Sequence, residues 1–163
     1  MRKDAMSDLE PKAEIGNFQS VTDVDSLFYS EHFHGKRWLI GIIGADSSRA
    51  NHIDILKNMY KQSKEEFTVN VFTIIGLNSG EMIADMGKKF DIPRDVNWIK
   101  TYMAAQHVFV FSEDAFTIPE SLKNKSIVVL LDENGKIRKY YSLNDENEIK
   151  KMVRQVPVFL SLK

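Results

Sequence analysis

Two runs of the chain, Trp38 to Gly44 and Phe67 to Gly76, are apolar at nearly every position, as strands covered on both faces would be. Between them Ile53, Leu56, Met59 and Tyr60 recur at helical spacing, which leaves Lys57, Lys61, Lys64 and Glu65 for the wet side. The pattern predicts β-α-β, a parallel pair joined by a right-handed crossover. Upstream, Phe18 to Val21 and Ser26 to Ser30 flank Thr22-Asp23-Val24-Asp25, where aspartates bond their own backbone and favour a turn, so a small hairpin is predicted. His34-Gly35-Lys36 reads as a loop. Residues 1–14 carry few apolar positions and are expected to be a mobile lead-in, with a single domain over 15–163.

Downstream, Ser79 stands as an N-cap above Met82, Ile83, Met86 and Phe90, and Pro93 stops that helix. Trp98 to Met103 fits no single period; it reads as one helical turn leading into a strand at Val108 to Phe111. Ser126 to Leu131 and Lys136 to Tyr141 are two strands around Asp132-Glu-Asn-Gly135, because Asn134-Gly135 supplies the positive φ angles of a tight turn. Glu148 to Arg154 is a final amphipathic helix that packs through Ile149, Met152 and Val153. The order β-β-β-α-β-α-β-β-α predicts an α/β protein of thioredoxin-like fold: a central mixed sheet flanked by helices, with an N-terminal β-hairpin. Fold alone does not assign function.

The 163 residues, 43% hydrophobic, suffice for one well-formed core. Lys plus Arg total 22 against 23 Asp plus Glu, so the chain has no cationic surplus for nucleic acid or an anionic membrane surface. No cysteine is present, which excludes disulfides, thiolate metal sites, cysteine nucleophiles and CxxC redox chemistry. The longest apolar stretch, Trp38 to Ala45, is far short of the roughly 20 residues that span a bilayer. A soluble chain is expected, either cytoplasmic or shorn of a targeting segment.

Ile15 to Ser26 followed by Phe33 to Gly41 resembles the opening of Sco/SenC and peroxiredoxin-type thioredoxin-fold proteins. Lys88-Lys-Phe-Asp91, Asn97-Trp98, Leu131 to Tyr141 and Asp145 to Lys151 resemble Sco/SenC stretches in the same order. The similarity spans Ile15 to Val153. It implies a relative of copper-binding, thiol-redox factors that serve cytochrome oxidase assembly through a CxxxC pair and a distant histidine. Without gaps, the cysteine positions fall on Ser47 and Asn51 and the histidine position on Asn124; a one-residue slip gives Ser48 and His52. Gly76 to Glu81 is shorter than the acidic loop the family carries there. Hydroxyl and amide groups neither hold Cu(I) nor cycle electrons. The resemblance therefore implies a degenerate member that is not an enzyme, needs no cofactor and serves as a non-catalytic binding or structural module. Its partner would be an unidentified protein or small ligand. A cell-envelope location is implied by the resemblance only.

Asp46, Ser47, Ser48, Asn51 and His52 sit at the first strand-to-helix turn, where backbone N–H groups and the helix N-terminus favour an anion or polar ligand. Ser48, His52 and Asp54 could form a nucleophilic triad, but residues so close on one helix end more often cap it. His32 and His34, two apart on an expected extended segment, would project to one side and could share a metal, copper included, which makes a metal carrier the alternative reading. The plainer account is two solvated loop histidines. Met82 and Met86 are one helical turn apart, a spacing that usually fills a core. Phe109, Phe111 and Phe116 form an apolar cluster for which burial is the default, and Pro119 reads as a loop proline.

Overall fold

Strand β4 (Trp38–Ile43) is buried at every position, and a strand with no polar face requires cover on both sides. The computed structural model describes residues 8–162. In it β4 joins β1 (Ala13–Glu14), β5 (Asn70–Leu77), β6 (Trp98–Ala104), β7 (Ile127–Leu131) and β8 (Lys136–Ser142) in one six-stranded sheet of order β1-β8-β7-β4-β5-β6. The β4–β5 and β5–β6 pairs are parallel, whereas β4–β7, β7–β8 and β1–β8 are antiparallel. A separate hairpin pairs β2 (Gln19–Val21) with β3 (Leu27–Tyr29), as the turn chemistry predicts.

Among the described residues four helices accompany the sheet: α1 (Arg49–Ser63), α2 (Ile83–Lys89), α3 (Ala105–Ala115) and α4 (Glu146–Ser161). Alternate residues of the central strands enter two cores. Leu39, Ile43, Val71, Ile75, Val128 and Leu130 meet Ile53, Leu56 and Met59 of α1 and Met152, Val156 and Phe159 of α4. Ile40, Ile42, Phe72, Ile74 and Val129 meet Val108 and Phe116 at α3 and Phe28 of the hairpin. This two-sided burial is why β4 and β5 read as unbroken apolar runs.

Several expectations need correction. The segment 8–14 is not loose: Leu9 is fully buried, β1 pairs with β8, and the Asp8 carboxylate accepts bonds of 2.7 Å from both Lys139 and Gln155. A sparse apolar pattern hid it, although one buried leucine contributes about 2 kcal/mol. The rest of the expected lead-in, residues 1–7, lies outside the described residues, as does the last residue of the expected domain.

Trp98 to Met103 is strand, and the run Val108 to Phe111 expected as strand lies in α3. Val108, Ser112 and Ala115 are its buried residues and recur at helical spacing, so tertiary packing overrides the β propensity of Val and Phe. Phe116 is fully buried, with Phe109 and Phe111 half-buried beside it. At Gly44 a Cβ would stand 2.7 Å from the Phe109 ring, so the missing side chain lets α3 close over the end of β4. In β6, Lys100 obscures the apolar pattern; it is nevertheless buried, with its ammonium donating to Pro93 O at 3.0 Å.

Lys57 is likewise buried rather than solvated, donating to Phe90 O at 2.9 Å. Ser79 does not cap α2; Met82 holds that position without a side-chain bond. Met86 is core, but Met82 is 63% exposed. At the β7–β8 turn only Gly135 has positive φ, not Asn134. The Asp132 carboxylate shapes this turn by accepting from the backbone N–H of Asn134 and Lys136, each at 2.9 Å. Helix α4 starts under an Asp145 cap and continues past Arg154 through Pro157 to Ser161. It packs through Met152, Val156 and Phe159, while Val153 faces solvent.

Candidate functional site

β4 delivers the chain to the C-terminal end of a central strand, and Gly44 to Ser48 turn it into α1. The Asp46 carboxylate accepts from Ser48 N at 2.9 Å, and Asp46 O accepts from Arg49 N at 3.1 Å. Asp46 therefore organises the turn, while Ser48 occupies the N-cap position without a side-chain capping bond. The Ser126 hydroxyl accepts from Gly44 N at 2.9 Å and ties the start of β7 to the same corner. Asn78 donates to Ala45 O at 3.1 Å from the end of β5.

One flank of α1's first turn is locked. Arg49 donates to Gly76 O at 2.9 Å and engages both oxygens of Glu81, at 2.7 and 2.6 Å. Its guanidinium also lies 4.9 Å from the centre of the Phe90 ring. Glu81 accepts in addition from Lys89 and from Asn78 N, both at 2.7 Å. Bonds from Arg49 and Lys89 hold the Glu81 carboxyl far below the usual carboxylate range. Sequence reasoning missed Arg49. The signal was available: a cation in a helix's first turn opposes the helix dipole and needs an acidic partner.

The other flank is open. Ser48, Asn51 and His52 line a cleft of about 490 Å³ with Ile55, Leu143, Asn144, Glu146, Ile149 and Lys150. His52 is 1% exposed, and its Nδ1 has no hydrogen-bond partner among the described residues. Burial pushes the His52 imidazole below its ordinary value, opposed by Asp46, Asn144 and the Leu143 backbone. Burial thus favours the neutral ring.

The remaining predicted residues separate. Asp46 and Ser47 are exposed and do not line the cleft. Asn124, in a left-handed conformation with φ 61°, lines a different crevice with Ile42, Phe109 and Ile127. Asp54 is turned to Lys57, 3.5 Å away, rather than to His52, so Ser48, His52 and Asp54 do not form a relay. His32 lies in a short 3-10 turn (Ser30–Phe33), not on an extended segment, and its Nδ1 accepts from Tyr29 N at 3.1 Å. That geometry removes the expected same-side projection with His34. Among the described residues no cluster of three or more His, Asp or Glu side chains could hold a metal ion. The hydroxyl and amides at Ser47, Asn51 and Asn124 do not fit soft Cu(I), and Asn124 lies in another crevice.

The architecture is that of a thioredoxin-like protein: similar structures include the thioredoxin-like protein from Aeropyrum pernix (TM-score 0.57, 13% identity, covering 86% of this chain and 89% of that one). More specifically, the chain is similar to BsSco, a member of the Sco family of cytochrome c oxidase assembly proteins in which a disulfide switch was identified. That similarity has a TM-score of 0.68 at 19% identity, over 94% of this chain and 98% of BsSco. A SCO1/SenC family lipoprotein from Bacillus anthracis is similar with TM-score 0.61 and 21% identity, over 87% and 92% of the two chains. No protein-family model and no curated protein matches the sequence. The fold is thus shared with Sco proteins, while the present chain contains no cysteine with which to form a disulfide.

Proposed function

We propose that the chain is a degenerate Sco/SenC-like protein, not an enzyme, that acts as a binding or structural module and receives its ligand or partner at the Asp46 to His52 corner. The observation that carries this reading is the asymmetry of α1's first turn. One flank is tied to β5 and α2 through Arg49, and the other presents Ser48, Asn51 and a buried His52, whose Nδ1 has no partner among the described residues, to a cleft. The lack of any thiol removes the electron chemistry such a corner would otherwise support. The likeness to a lipoprotein favours service at the cell envelope. Among the described residues no helix is long and apolar enough to cross a membrane.

Two measurements test the proposal. A photo-crosslinking residue at Asn51 should yield an adduct of defined mass in the source cell, whereas the same label at exposed Arg154 should not; equal labelling at both positions defeats the reading. Cu(I) titration of the native chain should show no stoichiometric binding. The double substitution Ser47→Cys/Asn51→Cys should create Cu(I) affinity if the ungapped register is right, with no further gain from Asn124→His because Asn124 lines another crevice; Ser48→Cys/His52→Cys tests the slipped one.

A further inference from the structure

A second cavity, of about 610 Å³, lies between the tip of the β2–β3 hairpin and α2, beside the start of β6. It shares no residue with the Asp46 to His52 corner. Its floor is Ile92 and Trp98, both buried, and its walls include Ile83, Val24 and Val96, which are 44%, 76% and 90% exposed. Three large apolar side chains held open to water around one concavity mark a place where something apolar is received.

Two further observations narrow the occupant. Gly87 stands in the wall, inside α2, where glycine weakens a helix and where no positive φ calls for it. A Cβ at Gly87 would meet nothing within 4 Å, so packing within the chain does not demand the glycine either. Its effect is to keep the cavity wide. The charges are also one-sided. Of the two aspartates on the lining, Asp95 is engaged by Tyr60 and Lys64, and Asp23 lies 3.9 Å from Lys100. Lys88 and Arg94 are exposed and make no ion pair with any described residue.

We infer that this cavity binds an amphiphilic anion, an acyl chain carrying a carboxylate or a similar acidic head, with the chain against Ile83, Ile92, Val96 and Trp98 and the head near Lys88 and Arg94. The size and apolar lining match small-molecule sites, which run from roughly 300 to 1,000 Å³ with a few polar groups to orient the ligand. The free cations select against neutral or positively charged amphiphiles.

The test uses the full chain and decanoate, kept below its micelle concentration. Calorimetry should show saturable binding accompanied by a change in tryptophan emission, since Trp98 floors the cavity. Gly87→Phe, which fills open space on a helix, should keep its circular dichroism and abolish binding. Lys88→Glu/Arg94→Glu should weaken binding at least about fivefold. Decyltrimethylammonium should not bind. Binding of monomeric decanoate alone assigns a free acid, whereas co-sedimentation with phosphatidylglycerol vesicles that Gly87→Phe removes assigns an anionic lipid. The inference is overturned by absence of heat, by equal affinity for decanol, by undiminished binding in a folded Gly87→Phe variant, or by capture of acidic apolar peptides in place of the amphiphile.

Discussion

The first turn of α1 has two flanks that differ in how their polar groups are satisfied. On the Arg49 side the guanidinium is matched by a carbonyl and a bidentate carboxylate, with Phe90 beside it. On the His52 side a buried ring nitrogen has no partner among the described residues, and the facing walls come from α4 and the loop before it. A helix N-terminus in this fold is therefore not uniformly a binding device. Half of it can be spent on fastening the corner, which leaves the other half to receive a ligand.

The contrast can be broken most forcefully at Arg49. Arg49→Ala leaves Glu81 with only Lys89 and the Asn78 backbone N–H among its present partners and opens a gap beneath Phe90. It should cost about 2–3 kcal/mol, less than the 3–5 of a wholly buried pair because Glu81 retains some contact with water. At roughly 2–4 °C per kcal/mol, the melting temperature should drop by about 5–10 °C in a calorimetric scan.

Acid should reach the same flank next. The folded-state pKa of Glu81 is depressed, so its stabilisation is present above its ordinary value of 4.5 and is lost as pH falls through the native value. Melting temperature should decline more steeply as pH falls below 4.5 in the native chain than in Glu81→Gln, which starts lower. Parallel declines would show that the ion pair contributes nothing.

His52 tests the open flank and has its own pH window. Its folded-state pKa is also lowered, but here the neutral form is the folded one. The unfolded chain takes up protons first as pH falls below 6.5, so stability should diminish from there downward until the native ring titrates. His52→Gln should flatten this dependence, and a slope that persists assigns it elsewhere. The smallest structural effect is expected at exposed Asn51: Asn51→Ala should change stability by no more than about 0.5 kcal/mol while reducing the adduct formed by a crosslinking residue placed at Lys150, across the same cleft.

The fold was legible where two periodicities were clean. The buried runs at Trp38 and Val71, the amphipathic stretch from Ile53 to Tyr60 and the β7–β8 turn needed only local patterns. The β6–α3 region was not, because a lysine with a buried stem interrupts β6 and because Val108, Phe109 and Phe111 favour strand until packing against Gly44 selects helix. Of the corner, the sequence offered the strand-to-helix turn as a candidate and showed that it carries no thiol. It did not reveal which flank would be locked, since Arg49 and Glu81 meet only through the crossover that brings α1 beside the end of β5. The cleft was hidden for the same reason: Asn144 and Lys150 arrive from the far end of the chain.

The short strap formed by Asp8 to Glu14 has a further consequence. By pairing with Lys136 and Ile137 and anchoring to Lys139 and Gln155, it covers the start of β8, whose backbone donors and acceptors would otherwise form a raw sheet margin. A chain trimmed to begin at residue 15 should retain most of its helices yet self-associate through that margin. Light scattering would then register oligomers growing with concentration, and the strap would be recognised as the molecule's safeguard against stacking on itself.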